Sequence, residues 1–71
     1  MALEGVRLQK LALVIADELR ANEGHTIHSA EAVGDVEFWR RAARSAGRIM
    51  GVSIRTGIAP DGSRVWAVEG P

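Results

Sequence analysis

The first stretch of the chain repeats its apolar residues at the spacing of an α-helix. Leucine, alanine and isoleucine side chains recur every three or four residues, and charged side chains take other positions. This periodicity predicts an amphipathic helix over residues 4–22. Gly24 follows and ends it, because glycine adopts the left-handed conformation that closes many helices. The apolar positions are Leu8, Leu11, Ala12, Ile15 and Leu19.

The middle of the chain contains a short segment whose secondary structure the sequence leaves open, followed by the N-termini of two helices. Residues 25–28 (HTIH) contain no strong helix former, which favours either an extended connector or a very short strand and does not separate the two. Ser29 is a good N-cap for a short helix over residues 30–33, which Gly34 ends. Asp35 is then the N-cap of the next helix.

That next helix is predicted over residues 36–50, with Gly51 as its C-cap. At about 100° per residue its arginines fall within an arc of about 100°, and its apolar residues take the opposite side. We therefore expect one face to pack and the other to be basic and exposed. The basic residues are Arg40, Arg41, Arg44 and Arg48, and the apolar ones are Phe38, Trp39, Ala42, Ala46, Ile49 and Met50.

The last third of the chain alternates apolar and polar residues with a period of two. Residues 52–58 and 64–68 are predicted strands, joined by a turn over residues 59–63 (APDGS). Arg55 should point away from the core. We expect both Trp39 and Trp66 to fill the core where helix and hairpin meet. If Val65 faces inward, however, Trp66 faces outward, where an apolar surface would mark a dimer or partner interface.

Length and charge narrow the class of protein. A chain of 71 residues is expected to form a single domain over residues 1–71, and the absence of cysteine excludes disulfides and thiolate metal sites. The net charge is zero, but residues 1–35 carry three basic and six acidic residues, whereas residues 36–71 carry six basic and three acidic ones. The basic half is therefore the candidate for an anionic partner.

Composition also bears on location and source. The longest apolar run, residues 11–16, is far below the roughly 18 residues of a membrane span, so we expect no membrane association and a cytoplasmic location. Arginine outnumbers lysine eight to one, and alanine, glycine and valine are abundant, which indicates a GC-rich genome. A bacterium or its phage fits this composition.

The predicted class is α+β, with three helices followed by a C-terminal β-hairpin. The order of these elements, with a basic helix directly before a hairpin, resembles a winged helix-turn-helix domain over nearly the whole chain. In that family the third helix enters the DNA major groove as the recognition helix, and the hairpin, called the wing, contacts an adjacent groove or the backbone. The resemblance implies recognition-helix contacts from Arg40, Arg41 and Arg44, a phosphate contact from Arg48 near the far end of that helix, and wing contacts from Ser63 and Arg64.

We therefore predict a small DNA-binding protein, an accessory of transcription or replication, whose partner is double-stranded DNA. The base contacts are assigned to Arg40, Arg41 and Arg44, because the guanidinium fork matches guanine edges. The contacts that position the DNA backbone are assigned to Arg48, Arg55 and Arg64. The alternative function is an adaptor on the same fold that docks an acidic or apolar protein surface, and a homodimer is compatible with either function.

A purely structural role for the arginines is the competing interpretation. Helix faces of this kind are often solvated or paired within the chain, and the acidic first half offers partners for such pairs. The expected partners are Asp17, Glu18 and Glu23.

The other residues that could carry chemistry have simpler explanations as parts of loops, helix caps and turns. His25 and His28 are three residues apart, but zinc needs three or four protein ligands and no third is evident nearby, so both are expected to be loop histidines. Ser29, beside His28, is accounted for as a helix cap rather than a nucleophile. Gly57 is expected at a bulge and Gly62 in the turn, not in a phosphate-binding loop. We predict no enzyme activity, no cofactor and no metal.

Overall fold

A computed structural model describes residues 2–70 of the chain. The three predicted helices and the C-terminal hairpin are present with bounds within two residues of those predicted, and a third strand joins the hairpin. The predicted α+β class is therefore confirmed. The elements are α1 (Ala2–Ala21), β1 (His25–Ser29), α2 (Ala30–Val33), α3 (Val36–Met50), β2 (Ile54–Ile58) and β3 (Arg64–Glu69).

The second and third helices begin at the residues that the sequence indicated. The Ser29 hydroxyl accepts a hydrogen bond of 3.1 Å from the backbone N–H of Ala32. A carboxylate oxygen of Asp35 accepts one of 3.0 Å from the backbone N–H of Phe38. Each side chain satisfies an amide that has no partner within its helix. Both predicted N-caps are confirmed.

The end of α3 also follows the prediction and shifts the start of the next strand. Gly51 has a φ of 75° in the left-handed region. The amide of Val52 then donates to the carbonyl of Gly47 at 2.9 Å, which closes the helix. Because this amide serves the helix end, β2 begins at Ile54 rather than at the predicted residue 52.

The undecided segment at residues 25–28 belongs to a strand. It lies in β1, which pairs antiparallel with β3, and β3 also pairs antiparallel with β2. The three-stranded sheet therefore has the order β1-β3-β2. Thr26 lies opposite Ala67, and Ile27 lies opposite Trp66. The partners of β1 lie at the far end of the chain, so the composition of residues 25–28 could not decide between connector and strand.

The core lies between α1, α3 and one face of the sheet, called here the inner face. Ile15 and Leu19 of α1 are completely buried, as are Val65 and Ala67 of β3. These residues form one cluster with the buried side of α3. Within residues 2–70, no helix combines the length and the apolar character needed to cross a membrane.

The buried side of α3 differs in part from the predicted one. Ala43 and Gly47 are buried, whereas Ile49, expected to pack, is 41% exposed. The cause is the position of the sheet, which lies so close to Gly47 that an added Cβ atom would be 2.5 Å from Cγ1 of Ile54. Small residues on this side let helix and sheet approach closely.

The two tryptophans lie in different environments. Trp39 is 3% exposed and belongs to the core, as predicted. Trp66 is only half-buried, on the outer face of the sheet, so the expectation that both fill the core is wrong for Trp66. Val65 and Ala67 face inward, and strand alternation sends Trp66 outward. Gly57 pairs with Trp66 in a regular ladder, so the predicted bulge is also wrong.

Candidate nucleic-acid interface

The predicted arginine face lies along the solvent side of α3. Arg41, Arg44 and Arg48 are exposed, and Arg40 is half-buried because it turns toward the sheet. Glu37 in the first turn lies on the same arc of the helix. The four arginines therefore share a face, but they do not share an environment.

Arg40 is held by two partners. Its Nε donates a hydrogen bond of 2.6 Å to the hydroxyl of Thr56 in β2, and Nη1 lies 3.1 Å from a carboxylate oxygen of Glu37. Only 26% of its side chain is exposed. Arg40 therefore ties α3 to the hairpin, and less of its guanidinium is free for a ligand than the sequence suggested. Thr56 is 16 residues away in the chain, and no local pattern pointed to it.

Arg41 belongs to a cluster around Phe38. Its guanidinium carbon lies 5.7 Å from the centre of the Phe38 ring, and that of Arg7 in α1 lies 5.6 Å from it. Both distances suit a cation–π contact. Arg41 Nη2 also lies 3.7 Å from a carboxylate oxygen of Glu4, with both side chains at least half exposed. Phe38, which was expected to pack in the core, is half-buried between two arginines.

The expected internal partners of the arginine face were wrong. Asp17 pairs with Arg20 on its own helix at 3.4 Å, and Glu18 lies 2.8 Å from Nε2 of His28. Glu4, near the start of α1, forms the ion pair between α1 and α3 instead. Within residues 2–70, none of the three expected partners forms an ion pair with α3, and these are Asp17, Glu18 and Glu23.

Arg44 and Arg48 occupy the middle of the exposed face, one helical turn apart. Arg48 Nη2 donates a hydrogen bond of 3.0 Å to the Ser45 hydroxyl. In the part of the chain that the structure describes, neither arginine lies within 4.0 Å of a carboxylate oxygen. Their positive charges are therefore not compensated by a contact within residues 2–70.

The hairpin arginines lie on the other side of the sheet. Arg55 is exposed opposite Val68, and Arg64 is exposed opposite Ser29. Both alternate with inward residues and so project from the outer face, whereas Arg40 meets the sheet at its inner face. Arg64 borders the turn, but Arg55 is in mid-strand. The structure therefore does not bring Arg55 together with the α3 arginines.

The hairpin turn is organised by Asp61. One of its carboxylate oxygens accepts a hydrogen bond of 2.7 Å from the Ser63 hydroxyl and one of 3.0 Å from the Ser63 amide. These hydrogen bonds, the hydroxyl one foremost, lower the pKa of the Asp61 carboxyl below its ordinary value. Ser63, predicted to contact DNA, thus uses its hydroxyl proton within the turn.

The two histidines lie in β1 rather than in a loop. They lie on opposite faces of the sheet, and the inner one, His28, contacts Glu18 and packs edge-on against Trp39 with ring centres 5.8 Å apart. Thr26 also donates a hydrogen bond of 3.0 Å to the Glu18 carboxylate. Among the described residues, no three histidine, aspartate or glutamate side chains are grouped closely enough to hold a metal ion.

Comparison with known proteins gave no match, whether to a protein-family model, a curated sequence or a solved structure. The functional assignment therefore rests on the residues of the chain itself. The feature with the clearest chemistry is the exposed face of α3 around Arg44 and Arg48.

Proposed function

We propose that this chain is a winged-helix domain that binds duplex DNA through the exposed face of α3. The observation that carries the proposal is the pair Arg44 and Arg48, exposed and without a carboxylate contact within residues 2–70. The resemblance to winged helices supports it, because the element order on which that resemblance rests is present.

The dimensions of α3 suit the proposed role. A helix of 15 residues is about 22 Å long, and the major groove of B-DNA, about 12 Å wide, admits a helix. Arg41 and Arg44 are the proposed base contacts, since a planar guanidinium donates two parallel hydrogen bonds to guanine. Arg48 is the proposed phosphate contact, and Arg64 beside the turn is the proposed wing contact. Arg40 has a positioning role through Thr56.

The neighbouring carboxylates predict a modest affinity. Glu37 and Glu4 lie against two of the arginines, and Asp61 stays ionised in the turn near Arg64. Each of these charges repels phosphate, and the arginine contacts release counterions. We therefore expect binding that is detectable at low salt and weakens steeply as salt rises.

A DNA partner supports the further proposal that the protein is an accessory of transcription or replication. The arginine-rich composition supports a bacterial or phage source, and we propose that the protein acts in the cytoplasm of a bacterium or of a phage-infected cell. The target sequence is identified by selecting random duplexes on the purified protein. A single enriched motif supports sequence-specific regulation, whereas recovery of unrelated duplexes supports a non-specific accessory.

The direct test is fluorescence anisotropy of a labelled duplex at about 50 mM salt, where non-specific phosphate attraction is detectable. We expect the wild-type chain to bind, and Arg44→Glu to weaken binding by about tenfold or more. Arg20→Glu is the matched control, because it changes the net charge equally on an exposed arginine of α1. Equal losses in both variants, or no binding of any duplex by the wild type, would contradict the proposal.

An acidic protein partner is the second candidate. One observation favours it: two arginines of this face already contact carboxylates within the chain, through Glu37 and Glu4. The test is capture of partners from lysate with and without nuclease. A partner that is retained after nuclease treatment and lost in Arg44→Glu would support an adaptor, whereas capture that requires nucleic acid would support the DNA-binding domain.

A further inference from the structure

The helix α1 has a second apolar stripe on its solvent side. Its buried face is formed by residues such as Ile15 and Leu19, which are completely inaccessible to water. On the opposite side Leu3, Val6, Leu13 and Val14 are 73%, 49%, 47% and 51% exposed, respectively. A surface helix normally presents polar residues to water, so an apolar stripe on both faces indicates a partner for the outer one.

The spacing of this outer stripe is that of a helix–helix seam. Positions 3, 6, 10, 13 and 17 alternate steps of three and four residues, the pattern by which one helix packs along another. Two of these positions are charged, Lys10 and Asp17, and both are exposed. Asp17 also forms a long, solvent-exposed contact of 3.4 Å with Arg20. Charges within such a seam determine which partner and which orientation are accepted.

The two charges match a second copy of the same helix in one orientation. A parallel pair in register would place Lys10 against Lys10 and Asp17 against Asp17. An antiparallel pair with its twofold axis between Leu13 and Val14 places each Lys10 opposite the partner's Asp17, and Leu13 against the partner's Val14. We propose that the chain forms an antiparallel homodimer through the part of this outer stripe that overlaps in such a pair, defined by Val6, Lys10, Leu13, Val14 and Asp17.

The size of this contact sets the expected strength. With the twofold axis between Leu13 and Val14, residues 6–21 of the two helices overlap over about 24 Å, so a single helix pair gives an interface at the small end of those that are specific. The dimer is accordingly a reversible one that forms at micromolar to millimolar protein concentration. Glu4 and Arg7 at the start of α1 contact the arginine face of α3, but the proposed dimer contact lies on the side of α1 away from the core that α1 shares with α3, and it contains no residue of α3. Dimerisation and DNA binding can therefore be tested separately.

The experiment is sedimentation equilibrium of the full chain from about 10 µM to about 1 mM, the range in which a weak dimer dissociates. We expect a monomer–dimer equilibrium for the wild type. Lys10→Asp and Asp17→Lys should each weaken it by about tenfold or more, because each creates two like-charge contacts across the twofold axis. An equimolar mixture of these two variants should recover the dimer, since both contacts are again between opposite charges.

Two further variants locate the interface and control for folding. Leu13→Ser with Val14→Ser should also weaken the dimer by about tenfold or more, whereas Ile27→Ser, on the outer face of the sheet and 57% exposed, should leave it unchanged. Circular dichroism confirms that each variant is folded. A wild-type chain that stays monomeric at the highest concentration, or a dimer lost only in Ile27→Ser, would overturn the proposal.

Discussion

The six-membered ring of the Trp66 indole covers Gly57 on the neighbouring strand. A Cβ atom built on Gly57 would lie 2.2 Å from Cζ2 of the indole and 2.6 Å from Cε2, far inside van der Waals contact. The two residues are direct partners across β2 and β3, and Ile27 of β1 flanks Trp66 on its other side. On the outer face of the sheet, the indole ring thus occupies the space that a side chain at position 57 would need.

This contact predicts the effect of Gly57→Ala. The methyl group cannot fit beneath the ring, so the indole must move away from the sheet and lose its cross-strand contact. We expect the free energy of unfolding to fall by about 1 kcal/mol, which is the scale of such a pair. In a Trp39→Phe background, the emission of Trp66 should also shift to the red as the ring becomes more exposed. Unchanged emission would contradict the close contact.

Gly47 in α3 predicts a larger loss for the same substitution. A Cβ atom there would lie 2.5 Å from Cγ1 of Ile54 and 2.9 Å from the backbone oxygen of Val52, and backbone cannot easily shift. Overpacking should outweigh the gain in helix propensity, so we expect Gly47→Ala to lower the free energy of unfolding by about 2 kcal/mol in urea denaturation.

The control for Gly47→Ala is the same change at Gly5 in α1. Apart from its chain neighbours and the backbone of its own helix, no atom of residues 2–70 lies within 4 Å of a Cβ added there. Alanine at Gly5 should raise the free energy of unfolding by up to about 1 kcal/mol, because alanine is the better helix former. Opposite signs in the two variants would support the close helix–sheet approach at Gly47, whereas equal stabilisation would exclude it.

The elements of this fold could be predicted from local sequence because their signals are local. Ser29, Asp35 and Gly51 mark helix ends through hydrogen bonds to residues a few positions away. The pairing of β1 with β3 could not be predicted in this way, since it joins distant parts of the chain. The burial of Ala43 likewise depends on where the sheet packs, which helical periodicity alone does not contain.

The candidate site could likewise be predicted only in part from the sequence. Periodicity placed the four arginines on one face, and the structure agrees. The ion pair of Arg40 with Glu37 is local to α3, but the contacts of Arg40 with Thr56 in β2 and of Arg41 with Glu4 in α1 join distant parts of the chain and could not be predicted from periodicity. Within residues 2–70, Arg44 and Arg48 have no carboxylate contact of either kind. A sequence pattern gives all four the same weight.

Glu37 provides a test of the proposed DNA surface that predicts a gain rather than a loss. Its carboxylate lies on the arginine face and contacts Arg40 at 3.1 Å. Glu37→Gln removes one negative charge and should tighten duplex binding by about threefold at low salt, a difference of less than about 1 kcal/mol. Glu23→Gln, in the turn after α1, changes the net charge equally and should have little effect. Equal gains in both would indicate a net-charge effect.

Asp61 predicts a pH dependence in the hairpin turn. The hydrogen bond from the Ser63 hydroxyl, and then that from its amide, lower the pKa of the Asp61 carboxyl. Because the folded pKa is below the unfolded one, the contribution to stability is present above the unfolded pKa of about 3.9 and is lost as the pH falls through the folded pKa. The titration is followed by NMR of the carboxyl carbon.

Ser63→Ala should raise the pKa of Asp61 toward its ordinary value. It removes the hydrogen bond from the Ser63 hydroxyl, which lowers this pKa the most, and leaves the hydrogen bond from the Ser63 amide. Ser53→Ala, at an exposed serine before β2, is the control and should leave the titration of Asp61 unchanged. An identical titration in the wild type and in Ser63→Ala would show that the hydroxyl does not bond the carboxylate in solution.

The bond between Arg40 and Thr56 predicts which basic side chain of α3 is rigid. The Arg40 Nε–H donates to the Thr56 hydroxyl at 2.6 Å in a half-buried position, so its proton should exchange slowly with water. Thr56→Val keeps the shape and removes the acceptor, which should lower the free energy of unfolding by about 1 kcal/mol and speed this exchange. Thr56→Ser retains the hydroxyl and should keep the proton protected.

The exchange rate of the Arg40 Nε–H proton is measured from the arginine Nε–H resonances in NMR spectra, with exposed Arg44 as the internal reference for fast exchange. If Arg40 and Arg44 exchanged equally fast in the wild-type protein, Arg40 would be as free as its neighbours, and its positioning role through Thr56 would have to be abandoned.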